Sequence, residues 1–164
     1  TEKLNFNLDA RVMARENKDA SILDGYRNRL TVNANYIASN KMQIQLSSVV
    51  ATEETKTNIQ NNRDYSVNAT INKTFNAPFD LIKDPLSAGL SFGGSFREYA
   101  GANPTIDPDT TRNDYTMRFS PSLTIPAGET MAVLISAGFT RVDSNIPNSE
   151  YDNMSLTIGI SKQF

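Results

Sequence analysis

The feature that most constrains this chain is a two-residue alternation of apolar and small polar side chains that returns segment after segment. It is cleanest near the end, where Met154, Leu156, Ile158 and Ile160 alternate with Ser155, Thr157, Gly159 and Ser161. A strand turns successive side chains to opposite faces, so such a segment has one apolar and one wet face; a helix would need a period near 3.6. At the start, Leu4, Phe6, Leu8, Ala10, Val12 and Ala14 share one face, with Asn5, Asn7, Asp9, Arg11, Met13 and Arg15 on the other. Six further segments repeat the pattern. Their apolar positions are Leu30–Val32–Ala34–Tyr36, Met42–Ile44–Leu46–Val50, Tyr65–Val67–Ala69–Ile71, Leu86–Ala88–Leu90–Phe92–Phe96, Tyr115–Met117–Phe119–Leu123–Ile125, and Met131–Val133–Ile135–Ala137–Phe139. The chain therefore predicts an all-β fold of eight strands in a single domain over residues 1–164.

Polar connections separate these segments. Glu16 to Gly25, Thr52 to Asn62, Ala100 to Arg112 and Asp143 to Glu150 read as long loops, whereas Ser39-Asn40-Lys41 and Pro126-Ala127-Gly128 read as tight turns. The joint from Asn76 to Pro85 is irregular, and its Phe79, Leu81 and Ile82 suit an interface. Two local faults are expected. Ser48 breaks the apolar face before Val49-Val50, where a bulge would fit. Pro121 lacks a ladder donor in mid-strand and also calls for a bulge. Long and short connections alternate, which predicts an antiparallel up-and-down order with loops at one end and turns at the other.

Composition removes several functions. Sixteen basic and eighteen acidic residues create no field that would gather nucleic acid. Cysteine and histidine are both absent, so disulfides, thiolate metal sites and Ser-His or Cys-His nucleophile pairs are excluded. The acids sit mainly in loops, where solvation is their ordinary role, and no enzyme activity, metal site or cofactor is expected. Asp107-Pro108-Asp109 has hard oxygens but lacks the ligand count of a calcium loop. Gly89, Gly93 and Gly94 do not form a phosphate-binding fingerprint; they read as relief of crowding. No segment reaches the roughly 20 apolar residues of a membrane helix, and no signal peptide is visible at Thr1.

The polar face consists mostly of Asn, Gln, Ser, Thr and Gly, whereas a water-facing sheet normally carries many Lys and Glu. With an aromatic at Phe164 and the segment Thr140-Arg141-Val142-Asp143-Ser144-Asn145 followed by Tyr151-Asp152 and Gly159, the chain resembles the closing hairpin of Gram-negative outer-membrane β-barrel proteins. The similarity extends loosely to barrel domains of surface-lipoprotein and polysaccharide exporters. It implies an eight-stranded antiparallel up-and-down transmembrane β-barrel in the bacterial outer membrane, with its signal peptide removed or left out of this sequence. It also implies contact with membrane lipid and lipopolysaccharide, insertion by the barrel-assembly machinery with Phe164 as part of the signal, and long loops offered to protein partners.

On this reading Asp9, Arg11, Arg15, Arg97 and Arg118 line the lumen, and a bore of eight strands is nearly filled by side chains, which favours a plug over an anion path. Tyr26, Tyr65, Tyr115 and Tyr151 stand beside charges where strands meet long loops, a position that suits the water–lipid boundary. Three functions stay open: a small plugged barrel with a structural, surface-exposed or partner-binding role; a pore or the terminal part of a larger exporter barrel; and a soluble lipocalin-like ligand carrier with its apolar face inward. The absence of tryptophan weakens the last, since a lipocalin would carry a Gly-x-Trp element near its first strand.

Overall fold

A computed structural model describes residues 3–16, 18, 21–77, 84–128 and 130–162. Among them, eight strands form one antiparallel sheet: β1 (Leu4–Arg15), β2 (Gly25–Ser39), β3 (Met42–Thr55), β4 (Asn62–Phe75), β5 (Leu86–Tyr99), β6 (Asn113–Pro126), β7 (Met131–Ser144) and β8 (Tyr151–Lys162). Each pairs with its sequence neighbours in the order β1 to β8, the up-and-down order that the alternating connections predict. Two short 3-10 turns, Ser21–Leu23 and Pro147–Ser149, lie in connections, and no described helix is long and apolar enough to cross a membrane. Phe164 and the Phe79, Leu81 and Ile82 group lie outside the described residues.

The register turns the alternation into two continuous surfaces. Asn5, Asn33, Ser47, Asn68, Ser91, Ser122 and Ser136 lie on one face, and pairings such as Asn7–Asn33, Asn33–Ser47, Ser47–Asn68 and Ser91–Ser120 carry that face across strands. On the other, Leu8 pairs with Val32, Leu46 with Ala69, Ala69 with Phe92, Phe92 with Phe119, and Phe139 with Met154. A slip of one residue would invert a strand, so a shared face across every ladder fixes the register strongly.

Strands run further at the long-loop end than the apolar pattern shows. β3 extends through Glu53, Glu54 and Thr55, leaving 56–61 as the connection to β4. There both faces are polar, so no contrast betrays the strand. Connections 16–24, 56–61, 100–112 and 145–150 gather at one end, and 40–41, 76–85 and 127–130 at the other. In the last of these Gly128 takes φ +96°, a left-handed turn conformation that glycine adopts without a Cβ penalty.

Neither expected bulge is present. Thr31–Val49–Ser66 and Leu30–Val50–Tyr65 stay in register, because Ser48 is accepted on the apolar face between Val32 and Val67. At Pro121 the β5 side keeps its pairing with Leu90, while the β7 ladder passes from Phe119–Phe139 to Ser122–Ser136 without a shift. The missing N–H costs ladder pairs but does not insert a residue. The one irregularity of the β2–β3 ladder lies instead between Ile37 and Ser39, beside the tight turn.

Little of this sheet is buried. No described side chain is fully buried, and the buried apolar residues are Ala51, Leu86, Val142 and Ile146. Phe6, Leu8, Val12, Met154, Leu156, Ile158 and Ile160 are 67–80% exposed. The ladders run from β1–β2 to β7–β8, and among the described residues none joins β8 to β1. The two outer strands are exposed on both faces for nearly their whole length.

Candidate functional site

The chemistry of the chain lies on the polar face and in a band of ion pairs toward its long-loop end. Along the strands, hydroxyls and amides bond to neighbours: Thr70 Oγ1 and Ser91 Oγ are 2.8 Å apart, and near the β2–β3 turn Gln43 Nε2 donates to Asn35 Oδ1 at 2.7 Å. Gly89 and Gly93 stand on this face where flanking side chains converge. A Cβ at Gly89 would come within 2.5 Å of Ser122 Oγ, and one at Gly93 within 2.6 Å of Asn68 Oδ1. Gly94 points to the apolar face, and its nearest neighbour would be Thr116 O at 3.7 Å. Crowding therefore accounts for the first two glycines only.

Toward the long loops, register places Asp64, Arg97 and Asp114 side by side on β4, β5 and β6. Arg97 donates through Nε and Nη2 to Asp64 Oδ2 at 3.0 and 2.5 Å. Asp114, which is buried, accepts two bonds from Arg112: Nε to Oδ1 at 2.8 Å and Nη2 to Oδ2 at 2.7 Å. This fork raises the Arg112 pKa above its ordinary value, with the bond to Asp114 as the largest cause. The Arg112 guanidinium also lies 5.1 Å from the Tyr99 ring centroid. Asn145 closes the rim by accepting from Asn113 N at 2.7 Å and donating to Thr111 O at 2.8 Å.

All five charged residues expected in a lumen lie on the polar face, but they do not converge. Asp9 pairs with Arg11 along β1 at 2.8 Å, and Arg15 reaches Glu53 at 3.6 Å, two strands away. Arg97 belongs to the row just described. Arg118, between Gly93 and Thr140, has no ion-pair partner among the described residues. Among the described residues, the ion pairs of these groups are made to the same or a nearby strand, and none spans from one side of the sheet to the other.

Asp64, Asp114, Arg112 and Glu53 were not among the expected residues, although a signal existed. Arg63-Asp64-Tyr65 and Asn113-Asp114-Tyr115 repeat where strands leave long loops. A period of two sends tyrosine to the apolar face and aspartate to the polar one. In Glu150-Tyr151-Asp152 the order is reversed, and the structure places Tyr151 opposite Val142 on the polar face. Tyr151 therefore does not share a surface with Tyr26, Tyr65 and Tyr115. Phe96 takes its place in the aromatic row, paired with both Tyr65 and Tyr115, its ring centroid 4.7 Å from that of Tyr115.

In the 100–112 loop, Asp107 Oδ1 accepts from Asp109 N at 3.0 Å, which holds the Asp107 carboxyl below its ordinary pKa. This oxygen closes a turn, and no described group of three or more acids is arranged to hold a metal. A recess of about 610 Å³ at the long-loop rim is lined by Arg15, Asp24, Tyr26, Glu54 and Lys56; Lys56 pairs with Asp24 at 2.8 Å. No protein-family model, curated protein or solved structure matches this chain.

Proposed function

We propose that this chain forms the wall of a bacterial outer-membrane β-barrel and has a non-catalytic role as a pore or as part of a wider export or porin barrel. The observation that carries the reading is the uncovered segregation of the sheet. Among the described residues, apolar side chains share one face through all eight strands and most of the large ones stand exposed, while hydrogen-bonding side chains, some of them charged, share the other. An exposed apolar surface of this extent calls for lipid or a partner. Strands of 12–15 residues exceed the roughly 9–11 needed to cross hydrocarbon at a tilt of about 45°. The row Tyr65–Phe96–Tyr115 suits the interface beneath the long loops, where lipopolysaccharide would be the outer lipid. The absence of a β1–β8 ladder among the described residues, with open polar faces on the outer strands, favours a lumen wider than eight strands enclose.

The narrower reading, a closed and plugged barrel acting through its loops and their partners, is favoured by the dense pairing of Asp64, Arg97, Arg112 and Asp114 at one end. Adjacent positions test the common core of both readings in a chain without native cysteine. Leu90→Cys should meet a lipid-dissolved thiol reagent and Ser91→Cys a water-soluble one, in protein inserted into bilayers. Equal labelling of both by the aqueous reagent refutes the membrane orientation. Steady conductance steps then select the pore, and silent insertion selects the plug.

A further inference from the structure

β1 and β8 are bare edges of a kind that native sheets rarely leave. Each is twelve residues long and free of proline, and among the described residues neither has a ladder on its outer side. An unpaired edge presents a row of N–H and C=O groups that another strand can extend; native sheets usually blunt it with a bulge, a proline, mid-strand lysine or a covering segment. Leu4–Arg15 and Tyr151–Lys162 hold no proline and no shift against their inner neighbours; their single lysine is the last residue of β8, and the mid-strand charges of β1, Asp9 and Arg11, pair with each other.

The two edges fit each other. With an even number of up-and-down strands, β1 and β8 run antiparallel, have equal length and keep their long-loop ends at the same end of the sheet. Both turn their apolar residues to the same face, so β8 set against β1 continues both surfaces.

We infer that the partner of these edges is a second copy of this chain, with β8 of each copy paired to β1 of the other in a closed wall of sixteen strands. The inference rests on the membrane-wall reading above. Closure of one chain on itself would fill its bore with side chains, as in any eight-stranded barrel. Instead Asn5, Asn7 and Arg11 on the polar face of β1 are exposed, as are Asn153, Ser155 and Thr157 on β8. A head-to-tail contact repeated around a two-fold axis leaves no edge, and walls of about sixteen strands leave an aqueous channel.

The test uses exposed polar-face positions, Asn7→Cys on β1 and Thr157→Cys on β8, in protein refolded into phospholipid vesicles and treated with a flexible thiol–thiol cross-linker. The two single variants, differently tagged and mixed before refolding, should give a covalent dimer carrying both tags. The double variant should also migrate as a dimer. Cross-linking confined within one chain overturns the inference in favour of self-closure, and no cross-link in either sample overturns it in favour of edges covered by other strands. Flotation of the same vesicles separates the two readings. Protein that floats without dimer refutes only the inference, while dimer that does not float refutes the membrane reading and leaves the edge pairing. Native mass measurement of the unsubstituted chain in detergent gives a check independent of the variants: two chains support the inference and one overturns it.

Discussion

Replacing Leu90 by arginine separates a lipid-facing surface from a water-facing one by the size of the penalty. Leu90 stands on the apolar face of β5, 42% exposed, between Ile71 of β4 and Pro121 of β6. On that face of the strand, Phe92 is midway between Leu86 and Glu98, so it marks the centre of the apolar band. Leu90 is two residues away, about 6.6 Å along the strand and about 5 Å in depth at a 45° tilt. Arginine at the midplane of a membrane barrel costs about 2–4 kcal/mol, and the penalty falls toward the interfaces of a band about 25 Å tall. At this depth Leu90→Arg should cost about 2–3 kcal/mol, which is about 30- to 150-fold in the folding equilibrium. If the same face met water, an exposed substitution would stay within about 0.5 kcal/mol. The assay is urea unfolding in lipid vesicles, followed by tyrosine emission or gel mobility. Gln45→Arg is the control, on the exposed polar face of β3, and should change stability little. Equal and small effects of the two substitutions would refute the lipid-facing argument.

Three further outcomes are expected. Gly93→Val should lower stability by about 1–3 kcal/mol, because its Cβ would press on Asn68 Oδ1 and on Val67 O at 3.3 Å; Gly94→Ala, with 3.7 Å of clearance, should be tolerated, and comparison of their unfolding midpoints checks this. A double-mutant cycle of Arg97→Met and Asp64→Leu should return a coupling of about 1–2 kcal/mol, since the bond is charge-assisted but part of the arginine is exposed; near-zero coupling would make the row ornamental. The Asp107 carboxyl is held below its ordinary pKa, so its contribution to the turn is full above that ordinary value and is lost as pH falls through the lowered one. The protection of the Asp109 amide, its exchange rate measured against the intrinsic rate at the same pH, should therefore fall in acid, and Asp107→Ala should remove that pH dependence.

The strands were legible wherever the two faces differ chemically. Leu4 to Ala14 and Met154 to Ile160 announce themselves because each apolar side chain is followed by a polar one. Where β3 passes beyond the apolar band, through Glu53, Glu54 and Thr55, both faces are polar and periodicity carries no information. Proline chemistry is local and suggested a bulge at Pro121, but the neighbouring ladders held the register and only pairs toward β7 were lost. The site was legible in part for the same reason. Alternation puts Asp9, Arg11, Arg15, Arg97 and Arg118 on one face, but it says nothing of which strand lies beside which residue's partner. The row Asp64–Arg97–Asp114 needs three ladders in fixed register, and Tyr151 changes face because two residues exchange order.

Sequence alone determined the secondary structure, the strand order and the chemistry of each face, because side-chain direction in a strand depends only on position parity. Short connections between consecutive strands then make neighbours pair. Tertiary structure decided which charges meet, where glycine relieves crowding, and that the outer edges of β1 and β8 stand unpaired among the described residues. Those outcomes depend on register and curvature summed over eight strands, which no local pattern encodes.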